Sequence, residues 1–426
     1  MPVAALAWLL LAAPDATPRL QALIDAAGGY PARIAPGDYR ISKALLIRRN
    51  GSGLLGPARI VQTNPAEPIV RVERARDAVL RDLALARPEA AADTRREGIR
   101  ADGCAGLVIE RVAVRDNRSP AGSIVLRGCT ECAVVGCRVE NYATLAIDDR
   151  TQSPHYGYAF RCIDGTGVLL VDCTATRVAD CRVVERRMLP TEELQRRHGL
   201  GAFVKRAEQR GSLVSEETWR RGSVDNWHQG SAITVTGPER SSEMLLSGNL
   251  VENAAQGIDI HADRVIVQGN VVDNAFIGMK AMHGSRNVIV QGNLFRRNDL
   301  WAIGLMPGAA SRARRPGDAA DPGNTDGGSV IANNVIADFG AGHAAWVWKD
   351  ATRCPIRLDS GQEPDDPPLQ GVTVTGNVID VPAGETPRYV YAVLLVPAPR
   401  GPIACRFSAN LFPAGASGVS NVPLPP

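Results

Sequence analysis

Two neighbouring segments, Gly257-Ile258-Asp259-Ile260-His261 and Gly278-Met279-Lys280-Ala281-Met282-His283, bring a carboxylate, a cation and two imidazoles to closely matching positions. If both are strands, side-chain alternation turns Ile258, Ile260, Met279 and Ala281 to one face and Asp259, His261 and Lys280 to the other. Two further segments, Ala232-Ile233-Thr234-Val235-Thr236 and Ala302-Ile303-Gly304-Leu305-Met306, align in the same register. One outward column then holds Thr234, Asp259, Lys280 and Gly304, and a second holds Thr236, His261, Met282 and Met306. Stacked strands lie about 4.8 Å apart, so Asp259, His261, Lys280 and His283 converge on one patch. His228, just ahead of the Thr234 segment, overhangs it in this reading. The chain has six histidines, and a fold asks nothing of His on an outward face, so this clustering points to function.

The chemistry that suits these groups is removal of a proton from a carbon next to a carboxylate, as at C5 of a uronic acid. His261 is a base suited to neutral pH. Lys280, with Arg286 close by, neutralises the substrate carboxylate and the charge that develops on it. Asp259 either orients a ring nitrogen or ligates a calcium ion that shares the neutralising work. His283 returns a proton, to the leaving oxygen in a lyase or to the opposite face of C5 in an epimerase. His228, Thr234, Thr236, Trp301 and Arg286 complete the expected substrate contacts. Two alternatives stand beside this one. A glycoside hydrolase would pair Asp259 with Asp263, and a non-catalytic glycan binder would use Trp301, Trp346 and Trp348 as stacking surfaces.

The elements that must hold these groups announce themselves as an internal repeat. Ser247-Gly248-Asn249-Leu250-Val251 recurs as Gln268-Gly269-Asn270-Val271-Val272, Gln291-Gly292-Asn293-Leu294-Phe295, Ala332-Asn333-Asn334-Val335-Ile336, Thr375-Gly376-Asn377-Val378-Ile379 and Ser408-Ala409-Asn410-Leu411-Phe412. From Ile258 to Met279 is 21 residues and from Met279 to Ile303 is 24, the length of one coil of short strands. The Asn fits a turn in the left-handed region or a ladder of stacked amides. Cruder copies run upstream, with Cys where Asn stands later. The repeat spans roughly residues 60 to 412, which predicts about ten coils of one all-β domain, a right-handed single-stranded parallel β-helix. Aromatic residues at only 5% suit a core of Val, Ile, Leu and Ala.

A helical stretch, Pro18 to Ala27, with Leu20, Leu23 and Ile24 on one side and Gly28-Gly29 as its stop, is expected to cap the first coil. Together with Pro36-Gly37-Asp38-Tyr39-Arg40-Ile41 and the Gly-Asn repeats, it resembles the entry segment of the pectate-lyase superfamily of β-helix proteins. That resemblance covers most of the chain and implies the fold, since the superfamily's members include lyases, hydrolases, epimerases and tailspikes. Gly257-Ile258-Asp259-Ile260-His261 also resembles the Gly-x-Asp-Pro-His segment of mannuronan C5-epimerases, with Ile260 in place of the proline. The resemblance implies uronate chemistry at Asp259 and His261.

Two insertions interrupt the coils. Residues 188–226 are expected to form short helices near Thr191 and Ser215, and residues 307–328 form a long loop. From Arg186 to Arg221 nine basic residues face five acidic ones, a local excess of +4 suited to steering an anionic glycan. The whole chain carries a net charge of only +3, which gives no general attraction for nucleic acid or a membrane surface. The apolar run Val3 to Ala13 is too short to span a bilayer. It reads as the apolar core of a secretory signal ending near Ala16, although no Lys or Arg precedes it, and it predicts a periplasmic or secreted protein. Nine cysteines are read as buried apolar residues, with no disulfide framework or zinc site expected of Cys129-x-x-Cys132.

Overall fold

The protein is described from a computed structural model covering residues 14–89, 91–282, 284–306, 327–342, 352–360, 369–396 and 403–426. The chain coils into a right-handed parallel β-helix whose coils each contribute three short strands to three faces. The first face runs through strands such as Ser242–Ser247, Asp263–Gln268 and Ile289–Gln291, and the second through Leu250–Glu252, Val271–Asp273 and Leu294–Arg296. The third is a 12-stranded parallel sheet from Leu45–Ile47 to Gly418–Ser420, so there are somewhat more coils than the ten expected.

Inward positions are filled as the composition requires. Ile233, Ile258, Met279, Ile303 and Ile356 stack in register along the third face, all without solvent exposure. The repeated Asn has a more specific task than a turn residue. Asn249, Asn270, Asn293, Asn334, Asn377 and Asn410 are stacked, each side-chain amide donating to the next at 2.9–3.0 Å. The left-handed backbone falls one residue earlier, at Gly248, Gly269, Gly292 and Gly376 with φ between 61° and 65°, where the absence of a side chain removes the strain. The ladder passes into the cysteine coils: the Cys181 amide donates to Asn249 Oδ1 at 3.0 Å, and the Cys181 and Cys137 thiols donate to carbonyls of the preceding coil. All nine cysteines are buried and free.

The helix Thr17–Ala26 closes the first coil with Leu20 and Ile24 buried, and Gly28 at φ 66° lets the chain turn away. Residues 188–226 hold the two expected helices, Glu192–His198 and Glu216–Arg221, capped by the Thr191 and Ser215 hydroxyls. A further insertion was not expected from sequence. Strands Thr144–Asp149 and Tyr158–Asp164 leave the coil as an antiparallel pair, joined by Phe203–Arg206 into a separate three-stranded sheet. No described helix is long and apolar enough to cross a membrane. The insertion at 307–328, apart from its last two residues, and the whole apolar run Val3 to Ala13 lie outside the described residues.

Candidate active site

The third face carries the expected columns in the expected register. Thr234 pairs with Asp259, Asp259 with Lys280, and Lys280 with Gly304. His261 stands just past its strand but keeps the ladder, its amide donating to the Val235 carbonyl at 2.7 Å. Asp259 is the hub. Its Oδ1 lies 2.8 Å from His261 Nε2, and its Oδ2 lies 3.5 Å from Lys280 Nζ and 3.4 Å from the Ser231 hydroxyl. Outward does not mean exposed here, because Asp259 is only 7% accessible and the Lys280 side chain 14%. An unpaired carboxylate at that depth would be costly. The lysine of one coil and the histidine of its own strand supply the missing partners.

This pairing sets the histidine's tautomer. A carboxylate accepts, so Nε2 carries the proton toward Asp259 and Nδ1 is the basic nitrogen, the arrangement by which a carboxylate orients a catalytic imidazole. Ser231 and Gln256, whose side chains meet at 3.3 Å, form a third outward column that sequence alignment alone did not reveal. It continues through Ile277 and Trp301, because Gly257 and Gly278 take the inward places of their strands.

Several expected contacts are placed differently. His228 does not overhang the patch. It is 2% exposed, wedged between the rings of Trp227 and Phe276 at 4.0 and 4.5 Å, and burial depresses its pKa from 6.5 to about 3. It is a neutral packing residue, and no sequence signal identified Phe276 as its distant neighbour. Arg286 belongs to the turn leaving the face and reaches toward Asp263, 3.7 Å away. Asp263 does not stand in a turn as expected: it opens the strand Asp263–Gln268, bonded to Arg264 and Asn287. Thr234 and Thr236 are partly exposed along the columns, as expected. Trp301 is not an exposed platform. Its ring folds over Gly304, so that a Cβ there would approach it to 3.0 Å, and it joins an apolar cluster with Phe276, Ile277 and Met306. His283, Trp346 and Trp348 lie outside the described residues.

The strand Cys354–Asp359 adds two residues that the repeat did not disclose. Arg357 follows Gly304 in the Asp259 column, and Asp359 stands two residues further along the same strand. Two guanidinium nitrogens of Arg357 donate to one oxygen of Asp359, at 3.1 and 2.6 Å, while the guanidinium carbon sits 4.8 Å from the Trp301 ring centroid. The indole N–H of Trp301 is buried with no acceptor among the described residues.

The donor set does not fit the calcium ion considered above. Ca²⁺ takes six to eight oxygen ligands. Asp259, the carboxylate at the centre, already has one oxygen on an imidazole and the other beside an ammonium that would repel a second cation. Among the described residues no group of three or more His, Cys, Asp or Glu side chains is arranged to hold a metal.

No known family matches the sequence, and no curated protein aligns with it. Solved structures do match it along almost its whole length. The A-module of the mannuronan C-5 epimerase AlgE4 from Azotobacter vinelandii aligns with 97% of this chain and 95% of its own, at 15% identity and a TM-score of 0.51. The alginate lyase AlyF-OU02, solved with G6, aligns over 96% and 86%, at 12% identity and a TM-score of 0.52. The Dettilon tailspike protein aligns with 93% of this chain at 14% identity and a TM-score of 0.53, and the chain spans 65% of that protein's length. These likenesses define the class of fold: the chain is a right-handed parallel β-helix, the architecture of that epimerase, that lyase and that tailspike.

Proposed function

We propose that the protein acts on an acidic, uronate-containing polysaccharide by abstracting the C5 proton, as a lyase or a C5-epimerase. The observation that carries this reading is the bridge made by Asp259 between His261 and Lys280. It joins an oriented base to a cation, the two groups that removal of a proton next to a carboxylate demands. Lys280 retains ammonium protons beyond the one directed at Asp259, and these hold the substrate carboxylate. His261 Nδ1 takes the C5 proton, and the electron pair of the broken C–H bond moves into the carboxylate held by Lys280. The enolate-like species then either expels the C4 oxygen, which takes up the proton expected of His283 as a C4–C5 double bond forms, or takes that proton at C5 on its opposite face. The epimerase and lyase among the structural neighbours support the class of substrate. A polymeric substrate of this kind calls for a periplasmic or secreted enzyme.

The outward carboxylates speak against the hydrolase alternative. Paired carboxyl groups in glycoside hydrolases stand about 5 to 10 Å apart. Asp263 is held at the start of the next strand by Arg264 and Asn287. Asp359 lies three coils from Asp259, roughly 14 Å along the axis alone at the strand spacing, and two residues out of its column. A screen of alginate, pectate, glycosaminoglycans and bacterial exopolysaccharides tests the proposal. Ultraviolet absorbance from an unsaturated uronate identifies a lyase, and solvent deuterium at C5 without cleavage identifies an epimerase. New reducing ends without either signal would refute proton abstraction, and binding without turnover would leave a glycan-binding β-helix.

A further inference from the structure

The inserted three-stranded sheet and the coils beside it enclose a cleft of about 750 Å³, separate from the Asp259 patch. Three arginines line it from three parts of the chain: Arg95 from a turn, Arg161 from the strand Tyr158–Asp164 and Arg197 from the helix Glu192–His198. All three are exposed, and among the described residues none has a carboxylate partner. Among the described residues Arg186, Arg196, Arg206 and Arg220 nearby likewise have no carboxylate partner, while other cations of the insertion are paired. Arg187 pairs with Glu89 and Asp116, Arg210 with Glu216 and Arg221 with Asp225.

The two acids in the cleft do not offset the three charges. Asp93 is already engaged by Arg118 at 2.7 Å and by the Thr144 hydroxyl. Asp164 is held by the Gly165 amide, which donates to it at 2.7 Å, and burial, helped by the nearby Asp148, shifts its pKa upward from the ordinary value. Leu145 and Ile147, 38% and 59% exposed, line the same cleft. Cations beside an apolar surface suit an anionic sugar, whose C–H faces are apolar and whose substituents carry the charge. The cleft also lies in line with the active-site face. Asp164 precedes Thr166, which pairs with Ser231, whose own neighbour is Gln256 of the Asp259 strand. Two strand spacings, roughly 10 Å, therefore separate the two sites along the axis.

We infer that this cleft is a second glycan-binding site, in which Arg95, Arg161 and Arg197 hold a carboxylated or sulfated stretch of the polysaccharide away from the reacting sugar. The inference rests on the proposed substrate being anionic and not on the reaction performed. Calorimetric titration of the full chain with oligogalacturonate, oligoalginate, a sulfated oligosaccharide and a neutral cello-oligosaccharide of matched length tests it. Arg161→Glu and Arg197→Glu should each weaken binding of the anionic probes by about tenfold or more, the size of a lost charge-assisted hydrogen bond. Binding should also weaken as salt is raised. Arg196→Glu on the same helix is the control for diffuse charge, since Arg196 does not line the cleft. Circular dichroism melts establish that each variant is folded. Cleft-dependent binding of the sulfated probe alone would sustain the site while overturning the uronate reading. Equal binding of the neutral probe, no binding of any anionic probe, unchanged binding by the Arg161 and Arg197 variants, or an equal loss with Arg196→Glu would each overturn the inference.

Discussion

Replacing His261 with alanine tests the site most directly, because the structure predicts two separable losses. The first is in rate. If His261 is the base, removing it should lower turnover about 10² to 10⁴-fold, roughly 3 to 5 kcal/mol of barrier. The second is in stability. From sequence an outward histidine would be exposed and dispensable to the fold. Here its Nε2 lies 2.8 Å from an aspartate that is 7% accessible, so the variant deprives a buried carboxylate oxygen of a donor. Such a loss costs about 1 to 3 kcal/mol. Denaturant unfolding followed by circular dichroism gives the second number. Rates measured on uronate polymers where the variant is fully folded give the first. Asp259→Ala and the double variant complete a cycle. If Asp259 acts by orienting the imidazole, it has little left to do once the ring is gone, and the double variant should turn over no more slowly than His261→Ala. Turnover within about threefold of the unaltered protein in His261→Ala, at a level a general base could not explain, would refute the assignment. Strictly additive effects would refute the orienting role of Asp259.

Lys280→Ala should raise KM and also lower kcat by about 10² to 10³, as expected for loss of a charge that strengthens its hold in the transition state; a change in KM alone would make Lys280 a binding residue only. Asn293→Ala removes a buried amide that donates to Asn334 and Val267 and accepts from both the backbone and side chain of Asn270. At about 1 kcal/mol per bond it should destabilise by roughly 3 to 4 kcal/mol, and an unchanged unfolding midpoint would show that the ladder contributes nothing. His228 predicts an acid limit to stability. Its folded pKa of about 3 lies below the unfolded value of 6.5, so the unfolded chain binds the proton more readily. The contribution is complete above pH 6.5 and is lost progressively as pH falls toward 3, roughly 4 to 5 kcal/mol in all. His228→Phe should flatten that part of the pH profile, and an unaltered profile would show that His228 does not govern it.

What could be read from the sequence followed from periodicity, and what was missed lay where periodicity broke. The Gly-Asn copies located the coils, and the alternation around Ile258 and Met279 put Asp259, His261 and Lys280 on one face in the register observed. Arg357 escaped because 53 residues separate Ile303 from Ile356, its register partner, where the earlier steps are 21 and 24. No repeat length could bridge that gap. The strands Thr144–Asp149 and Tyr158–Asp164 escaped for the opposite reason. They alternate like coil strands but pair antiparallel with each other, and pairing partners are set by tertiary structure and not by pattern. His228 was misplaced because burial depends on residues far along the chain, here Phe276.

The one departure from the Gly-x-Asp-Pro-His pattern bears on how much of the site survives it. Ile260 takes the place of the proline, and its side chain has no solvent exposure, stacked between Val235 and Ala281 on the inward side of the strand. The substitution therefore falls on the core side of the strand, whereas Asp259 and His261 face the other way. A proline at 260 would have removed a backbone donor from a strand paired on both sides. Isoleucine keeps that donor and fills the core. Asp259 and His261 are thereby held by an unbroken ladder, with Lys280 fixed opposite Asp259 by the same register. One residue of slip would carry all three charged or titratable groups into the apolar interior and Ile258, Ile260 and Met279 out of it. The packing of the core and the geometry of the bridge are thus fixed by a single choice of register, and a variant that repacks Ile260 without shifting the strand should leave the chemistry of the outward column intact.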